Sequence, residues 1–166
     1  MDVELKAAAL FFASAAVGAP LNPATKVIVS SHNYQATPPP AQVAALLAAG
    51  AAAGGDVAKV ATTANDIADA AVVLRALAAH PGPAIALAMG ERGQVTRLLA
   101  PKYGGFLTFG ALSEARASAP GQPTLGALRG VYGLHRQGPA TRVYGVVGNP
   151  VGHRCARLRL RLRLVF

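Results

Sequence analysis

Cysteine is nearly absent. Cys155 stands alone, which excludes an internal disulfide framework and a cysteine-based zinc cluster and suits a reducing compartment. Charged side chains make up only 14% of the chain against 52% hydrophobic residues, so it is not a disordered polyelectrolyte. Its 18 glycines and 12 prolines are scattered between apolar runs, and no low-complexity tract gathers them. No basic stripe with interleaved aromatics runs through the body of the chain either. The formal charge of +9 is concentrated at one end, where Arg154, Arg157, Arg159, Arg161 and Arg163 supply more than half of the excess. That distribution describes a tail, so no dedicated nucleic-acid face is expected. Nor is a membrane partner: the apolar run Ala7–Ala19 is too short to span a bilayer. It could pass for a signal-peptide core, but Asp2 and Glu4 outweigh Lys6 ahead of it, the reverse of a secretory leader. An alanine-rich helix is the better reading, and no targeting segment is visible.

What the chain does have is alternation. At 166 residues it has room for one domain with a real core, or part of one, and is short for a closed eight-stranded α/β barrel. Runs rich in valine, isoleucine and leucine recur at Lys26–Ser31, Asp56–Thr62 and Pro83–Met89, with a fourth at Gly105–Gly110. They are too continuously apolar for one-sided antiparallel strands and predict a buried parallel sheet. Helices are predicted between and after them, over Ala41–Ala53, Asn65–His80 (capped by Thr63 or Asn65), Gln94–Lys102 and Leu125–His135. With Asp2–Leu5 as a further strand end, this makes about five strand–helix units of a (β/α)8 barrel. Further units are expected ahead of Met1 in an intact protein. Right-handed crossovers bring the C-terminal ends of the strands to one rim.

Two residues at that rim carry chemical potential. Lys59 lies inside a strand among Val57, Ala58, Val60 and Ala61, where the cost of desolvating an ammonium favours the neutral, nucleophilic amine. Such an amine can attack a ketone. His32 follows the preceding strand, so the two are neighbours around one pocket, and an imidazole there could move a proton beside an iminium. Taken singly, each has a plainer explanation: a lysine snorkelling from a strand end, and a hydrogen-bonded loop histidine.

The words around these residues narrow the choice. Val29-Ser30-Ser31-His32-Asn33-Tyr34, Asp56-Val57-Ala58-Lys59-Val60-Ala61 and Met89-Gly90-Glu91-Arg92-Gly93 occur in that order, followed by Arg97, Leu107-Thr108-Phe109-Gly110 and Ala117-Ser118-Ala119-Pro120-Gly121-Gln122. Together with Asp2-Val3-Glu4-Leu5 they resemble type I 3-dehydroquinate dehydratases from residue 2 to about residue 135. The resemblance implies a TIM-barrel lyase of the shikimate pathway that converts 3-dehydroquinate to 3-dehydroshikimate plus water. Lys59 would form the imine and His32 would be the general acid–base. Arg97 would hold the substrate carboxylate; Ser118 and Gln122 would belong to a loop closing over substrate; Met89 and Phe109 would pack the pocket wall. Asp2 and Glu4 match acidic residues near the family's pocket and are expected to face the substrate. Without the resemblance, Arg97 would be an ordinary solvated helix residue, Ser118 and Gln122 a turn, and Met89 and Phe109 core. No metal and no soluble cofactor are expected, because the covalent imine replaces them.

A boundary is expected near Gly138-Pro139, dividing a partial dehydratase barrel at 1–137 from a linker and first strand at 138–153 and an aberrant Arg/Leu tail at 154–166. Tyr144-Gly145-Val146-Val147-Gly148-Asn149-Pro150-Val151-Gly152-His153 is similar to the opening of shikimate dehydrogenases, which plants and algae fuse behind the dehydratase. That family continues with a Ser-x-Ser-Pro element, whereas Arg154, Cys155, Ala156 and Arg157 stand here, and a frame or splice error explains the change most simply. NADP is therefore expected only with a dehydrogenase domain that this stretch does not provide. The intact family protein would reside in the plastid stroma; without a targeting segment the chain reads as cytoplasmic. The competing expectation is an inactive fragment whose basic tail binds polyanions nonspecifically.

Overall fold

The computed structural model describes residues 1–17, 22 and 24–144. The stretch from Gly145 to Phe166, with the dehydrogenase-like opening and the Arg/Leu tail, lies outside the described residues. Four strands, β1 (Asp2–Glu4), β2 (Ile28–His32), β3 (Val57–Thr63) and β4 (Ala84–Met89), form one sheet in that order. All neighbours are parallel, and α1 (Leu5–Val17), α2 (Pro40–Ala52) and α3 (Ile67–Ala79) make the crossovers. Every residue of β4 and all but Thr63 of β3 are buried, as expected for strands covered on both sides.

The two faces of the sheet differ in composition. One presents small residues, Ala58, Val60, Ala84, Ala86 and Ala88, to Val43 and Leu47 of α2 and Val73 and Leu77 of α3. Small strand side chains let the helices sit close. At Gly50 of α2 an added Cβ would stand 3.2 Å from the Val29 carbonyl and 3.3 Å from the Ala58 Cβ. Burying each large apolar side chain in this layer contributes about 1.5–3 kcal/mol. The other face carries Val57, Ala61, Ile85, Leu87 and Met89, covered by Leu107, Phe109 and Ala119, and it also carries the polar side chains of the candidate site.

Local chemistry sets the helix ends. Pro40 opens α2 from its first turn, where a missing N–H costs nothing. The expected cap of α3 at Thr63 or Asn65 is corrected to Asp66: its carboxylate accepts from the Ala68 N–H at 2.8 Å, while Asp69 accepts from the Asp66 N–H at 3.0 Å. The helix expected over Gln94–Lys102 stops early. α4 spans Gln94–Leu98, and Pro101 forces a tighter turn over Ala100–Tyr103 because its ring clashes with the carbonyl one turn back. Likewise α5 is only Leu125–Gly130; Gly133, at φ 58°, turns the chain left-handed before a short 3-10 turn at Leu134–Arg136.

The fourth apolar run, Gly105–Gly110, is not a strand. It makes a single backbone bond to the sheet, Phe106 N–H to the Ala84 carbonyl at 2.8 Å, after a left-handed turn at Gly104. Gly105 is pressed against Ala100, with Cβ room of only 3.0 Å, and Gly110 against Leu125 and Leu128, so close packing diverts both ends of the run from the sheet edge. Leu107 and Phe109 nonetheless turn onto the second face. Beyond them Ala111 pairs with Thr124 in an isolated bridge, which closes the neck of the loop 112–123. That loop is fastened to the end of β4 where the Gly90 N–H donates to the Pro120 carbonyl at 3.0 Å.

Candidate active site

Strand alternation puts the reacting candidates on one side. Lys59 pairs with Ser30 and Ala61 with His32 in the β2–β3 register, so Lys59 and His32, each an even number of residues from Val57 and its partner Ile28, point to the second face. On β1, Asp2 and Glu4 share that face, two residues apart and opposite Ile28 and Ser30. A cleft of about 180 Å³ opens there. His32, Lys59, Met89, Arg97, Phe109, Ser118 and Gln122 all line it, so seven of the residues singled out in the sequence converge on one space.

Each is held by identifiable local structure. β2 ends just past His32 because the Asn33 N–H makes a last ladder bond to the Ala61 carbonyl at 2.8 Å, and the Asn33 side chain then accepts from the Gln35 and Ala36 N–H groups, both at 3.0 Å. Arg97 reaches the cleft because α4 docks tightly on β4. A Cβ at Gly93 would fall 2.3 Å from the Ala88 carbonyl oxygen, and buried Thr96 accepts from the Ala88 N–H at 2.9 Å while donating to the Gly93 carbonyl at 2.7 Å. Ser118 and Gln122 are bonded to each other, the Gln122 Oε1 accepting from the Ser118 N–H at 2.7 Å and its hydroxyl at 3.1 Å.

The surroundings of Lys59 correct the purely aliphatic setting that its sequence neighbours imply. The side chain is 8% exposed, but its Nζ donates to the Asp2 carboxylate at 2.5 Å and lies 5.0 Å from the centre of the Phe109 ring. Asp2 responds to its position. Partial burial acts to raise its carboxyl, but hydrogen bonding from Lys59 and Ser30, with the Lys59 and His32 charges, outweighs this and holds it below the usual carboxylate value. Glu4 makes the matching contact with His32 Nδ1. Asp2 and Glu4, expected near the substrate, reach the cleft side of the sheet and engage Lys59 and His32 there.

Arg97 is the most unusual group. It is 2% exposed, its Nε has no hydrogen-bond partner, and among the described residues no carboxylate pairs with it. Burial lowers its guanidinium from the ordinary arginine value. A buried cation without a counter-ion is an anion site in waiting. Sequence reasoning passed over Tyr34, whose ring stacks on His32 at 5.6 Å and 7° and which also lines the cleft. Its position two residues beyond the histidine was the available signal.

A model of the type I 3-dehydroquinase family matches residues 1–139. The chain belongs to this family. Among relatives of the type I 3-dehydroquinase fold, the bifunctional 3-dehydroquinate dehydratase/shikimate dehydrogenase of Arabidopsis thaliana, named as chloroplastic, is 47% identical over 153 residues, covering 92% of this chain and 25% of that protein. The 3-dehydroquinate dehydratase of Methanocaldococcus jannaschii is 36% identical over 110 residues, covering 66% of this chain and 49% of that protein. The crystal structure of 3-dehydroquinate dehydratase from Geobacillus kaustophilus superposes with a TM-score of 0.68 at 28% identity, covering 80% of this chain and 52% of that one. The chain thus spans between a quarter and a half of the length of these two curated relatives. No helix among the described residues is long and apolar enough to cross a membrane.

Proposed function

We propose that the chain acts as a type I 3-dehydroquinate dehydratase, eliminating water from 3-dehydroquinate through an imine on Lys59. The observation that carries this reading is the convergence, in one cleft, of a buried amine, an imidazole and a buried arginine that has no counter-ion among the described residues. Arg97 takes the substrate carboxylate, which sets the ring ketone toward Lys59 Nζ. The amine adds to the carbonyl carbon and one water leaves as the imine forms. The imine draws electrons from the neighbouring carbon, so His32 can remove a proton from it near neutral pH. The electron pair left behind forms the new double bond as the hydroxyl on the next carbon departs, taking a proton from His32 as it leaves. A water then hydrolyses the imine and frees Lys59, so the net change is loss of one water and no soluble cofactor is consumed. Ser118 and Gln122, now bonded to each other, can turn their polar groups to the substrate hydroxyls when the loop engages.

Family membership supports this reading over that of an inactive polyanion-binding fragment, whose tail is beyond the described residues. We further propose that residues 138–153 lead into a dehydrogenase domain and that the intact protein works in the plastid, as the name of the Arabidopsis thaliana relative indicates for that protein. The test is borohydride reduction of the full chain in the presence of 3-dehydroquinate. A mass increase confined to the Lys59 peptide, and absent in Lys59→Ala, is expected. A folded chain that acquires no adduct would overturn the assignment.

A further inference from the structure

Beyond its neck, the loop 112–123 makes one hydrogen bond to the rest of the described residues, from the Gly90 N–H to the Pro120 carbonyl. Its cleft-lining side chains, Ser118 and Gln122, bond only each other, so their place over the cleft depends on where Gly90 stands. Gly90 leads into a single 3-10 turn, Glu91–Gly93, and a glycine therefore stands at each end of it. Glycine tolerates many backbone conformations, so such a turn keeps its shape only as far as its contacts fix it. The Gly93 end is fixed by its close approach to Ala88. The Gly90 end, at φ 86°, is packed loosely: the nearest non-adjacent atom to an added Cβ there is the Ala64 carbonyl oxygen, at 3.9 Å.

Arg92 supplies what this end lacks. Its exposed side chain makes the only hydrogen bond given by a side chain of the turn among the described residues, from Nη1 to the Asn65 carbonyl. Asn65 is a fixed point. Its N–H donates to the Asp69 carboxylate at the start of α3, at 2.8 Å, and its Nδ2 donates to the Gln35 carbonyl at 2.9 Å. The segment around Gln35 is itself fastened to β3, with Thr63 Oγ1 donating to the Asn33 carbonyl at 3.2 Å and Thr37 Oγ1 to the Thr63 carbonyl at 3.0 Å. A chain of bonds thus runs along the rim from the segment after β2, through Asn65 and Arg92, to Gly90 and the loop. We infer that Arg92 is a positioning residue: by bonding the Asn65 carbonyl it sets the turn that holds Pro120, and through Pro120 the reach of Ser118 and Gln122 over bound substrate. The inference rests on the dehydratase reading for its kinetic effect, but the hold on the loop does not depend on it. Arg92, unlike Arg97, is not among the residues lining the cleft.

Methionine at this position keeps an apolar stem of similar length and removes the donors. On the full chain, Arg92→Met should raise KM for 3-dehydroquinate about fivefold with kcat within about twofold, and Arg92→Lys, which still donates, should recover part of the loss. An exposed cation also attracts an anionic substrate at long range. Combining Arg92→Met with Gly121→Ala, which detaches the loop by itself, separates the two effects. With the loop already free, Arg92→Met should leave KM where Gly121→Ala put it. An equal rise in both backgrounds, or no rise in the native one, would overturn the inference. Hydrogen exchange of the ligand-free chain reads the loop directly: in Arg92→Met the amides of 112–123 should exchange faster while those of β3 and β4 keep their native rates. A loop that exchanges at its native rate in Arg92→Met sinks the inference as well, and this measurement decides should Gly121→Ala fail to fold. Borohydride labelling of Lys59 should persist in Arg92→Met. Its failure in the native chain counts against the reaction alone, and the exchange rates then decide the role of Arg92.

Discussion

Replacing Arg97 by methionine should make the free chain more stable and abolish its response to substrate. The guanidinium is 2% exposed, its Nε is orphaned, and no acid offsets it among the described residues. A buried polar group left without a partner costs about 1–3 kcal/mol, and a charged one more. Methionine is close in length and flexible enough to keep the packing against α4 and β4, so overpacking adds little. For a domain of this size, about 1–3 kcal/mol corresponds to a rise of roughly 3–10 °C in melting temperature. The assay is a thermal melt of both chains with and without saturating 3-dehydroquinate. The native chain should melt lower when free and rise with ligand, as linkage requires; Arg97→Met should melt higher when free and stay there. If the variant melts below the native chain without ligand, the guanidinium is stabilising the empty cleft, and its role as an unsatisfied anion anchor is wrong.

Two further outcomes follow from the loop and from Asp2. Gly121 has φ 70° and a Cβ there would stand 2.5 Å from the Gly90 carbonyl oxygen, so Gly121→Ala should detach the 112–123 loop from β4 and raise KM about tenfold or more while borohydride still labels Lys59; unchanged KM would mean that the loop contributes nothing to binding. Because the Asp2 carboxyl sits below its ordinary value, its contribution to stability is present above the ordinary carboxylate range and is lost as pH falls through the folded value. The stability gap between the native chain and Asp2→Asn, read from urea midpoints, should therefore be widest near neutral pH and close on acidification, and it should be small because the Asp2 side chain is 40% exposed. A gap that widens in acid contradicts the ion pair.

The buried strands β3 and β4 were legible because burial on both faces keeps a run mostly apolar, leaving a signal that needs no partner to be seen. Gly105–Gly110 carries the same signal for a different reason: Leu107 and Phe109 cover the sheet from above without joining its ladder, and composition cannot separate a covering segment from a strand. Helix ends were less visible where two capping residues compete, as Asn65 and Asp66 do, since the choice falls to whichever side-chain oxygen reaches the free N–H groups. At the site, Lys59 and His32 stood out as polar residues in or beside apolar strands. The partners of these two did not. A contact between residues far apart along the chain, such as Asp2 with Lys59, exists only once the strands are laid side by side.

The opposed characters of the two sheet faces make β3 intolerant of changes in length. Side chains alternate with a period of two, so deleting one residue before Lys59 would carry the amine into the alanine-lined layer beneath the helices and send a hydrocarbon side chain out in its place. Loss of chemistry and loss of folding would then arrive in a single step. Substitutions along this strand can be graded, but insertions and deletions cannot.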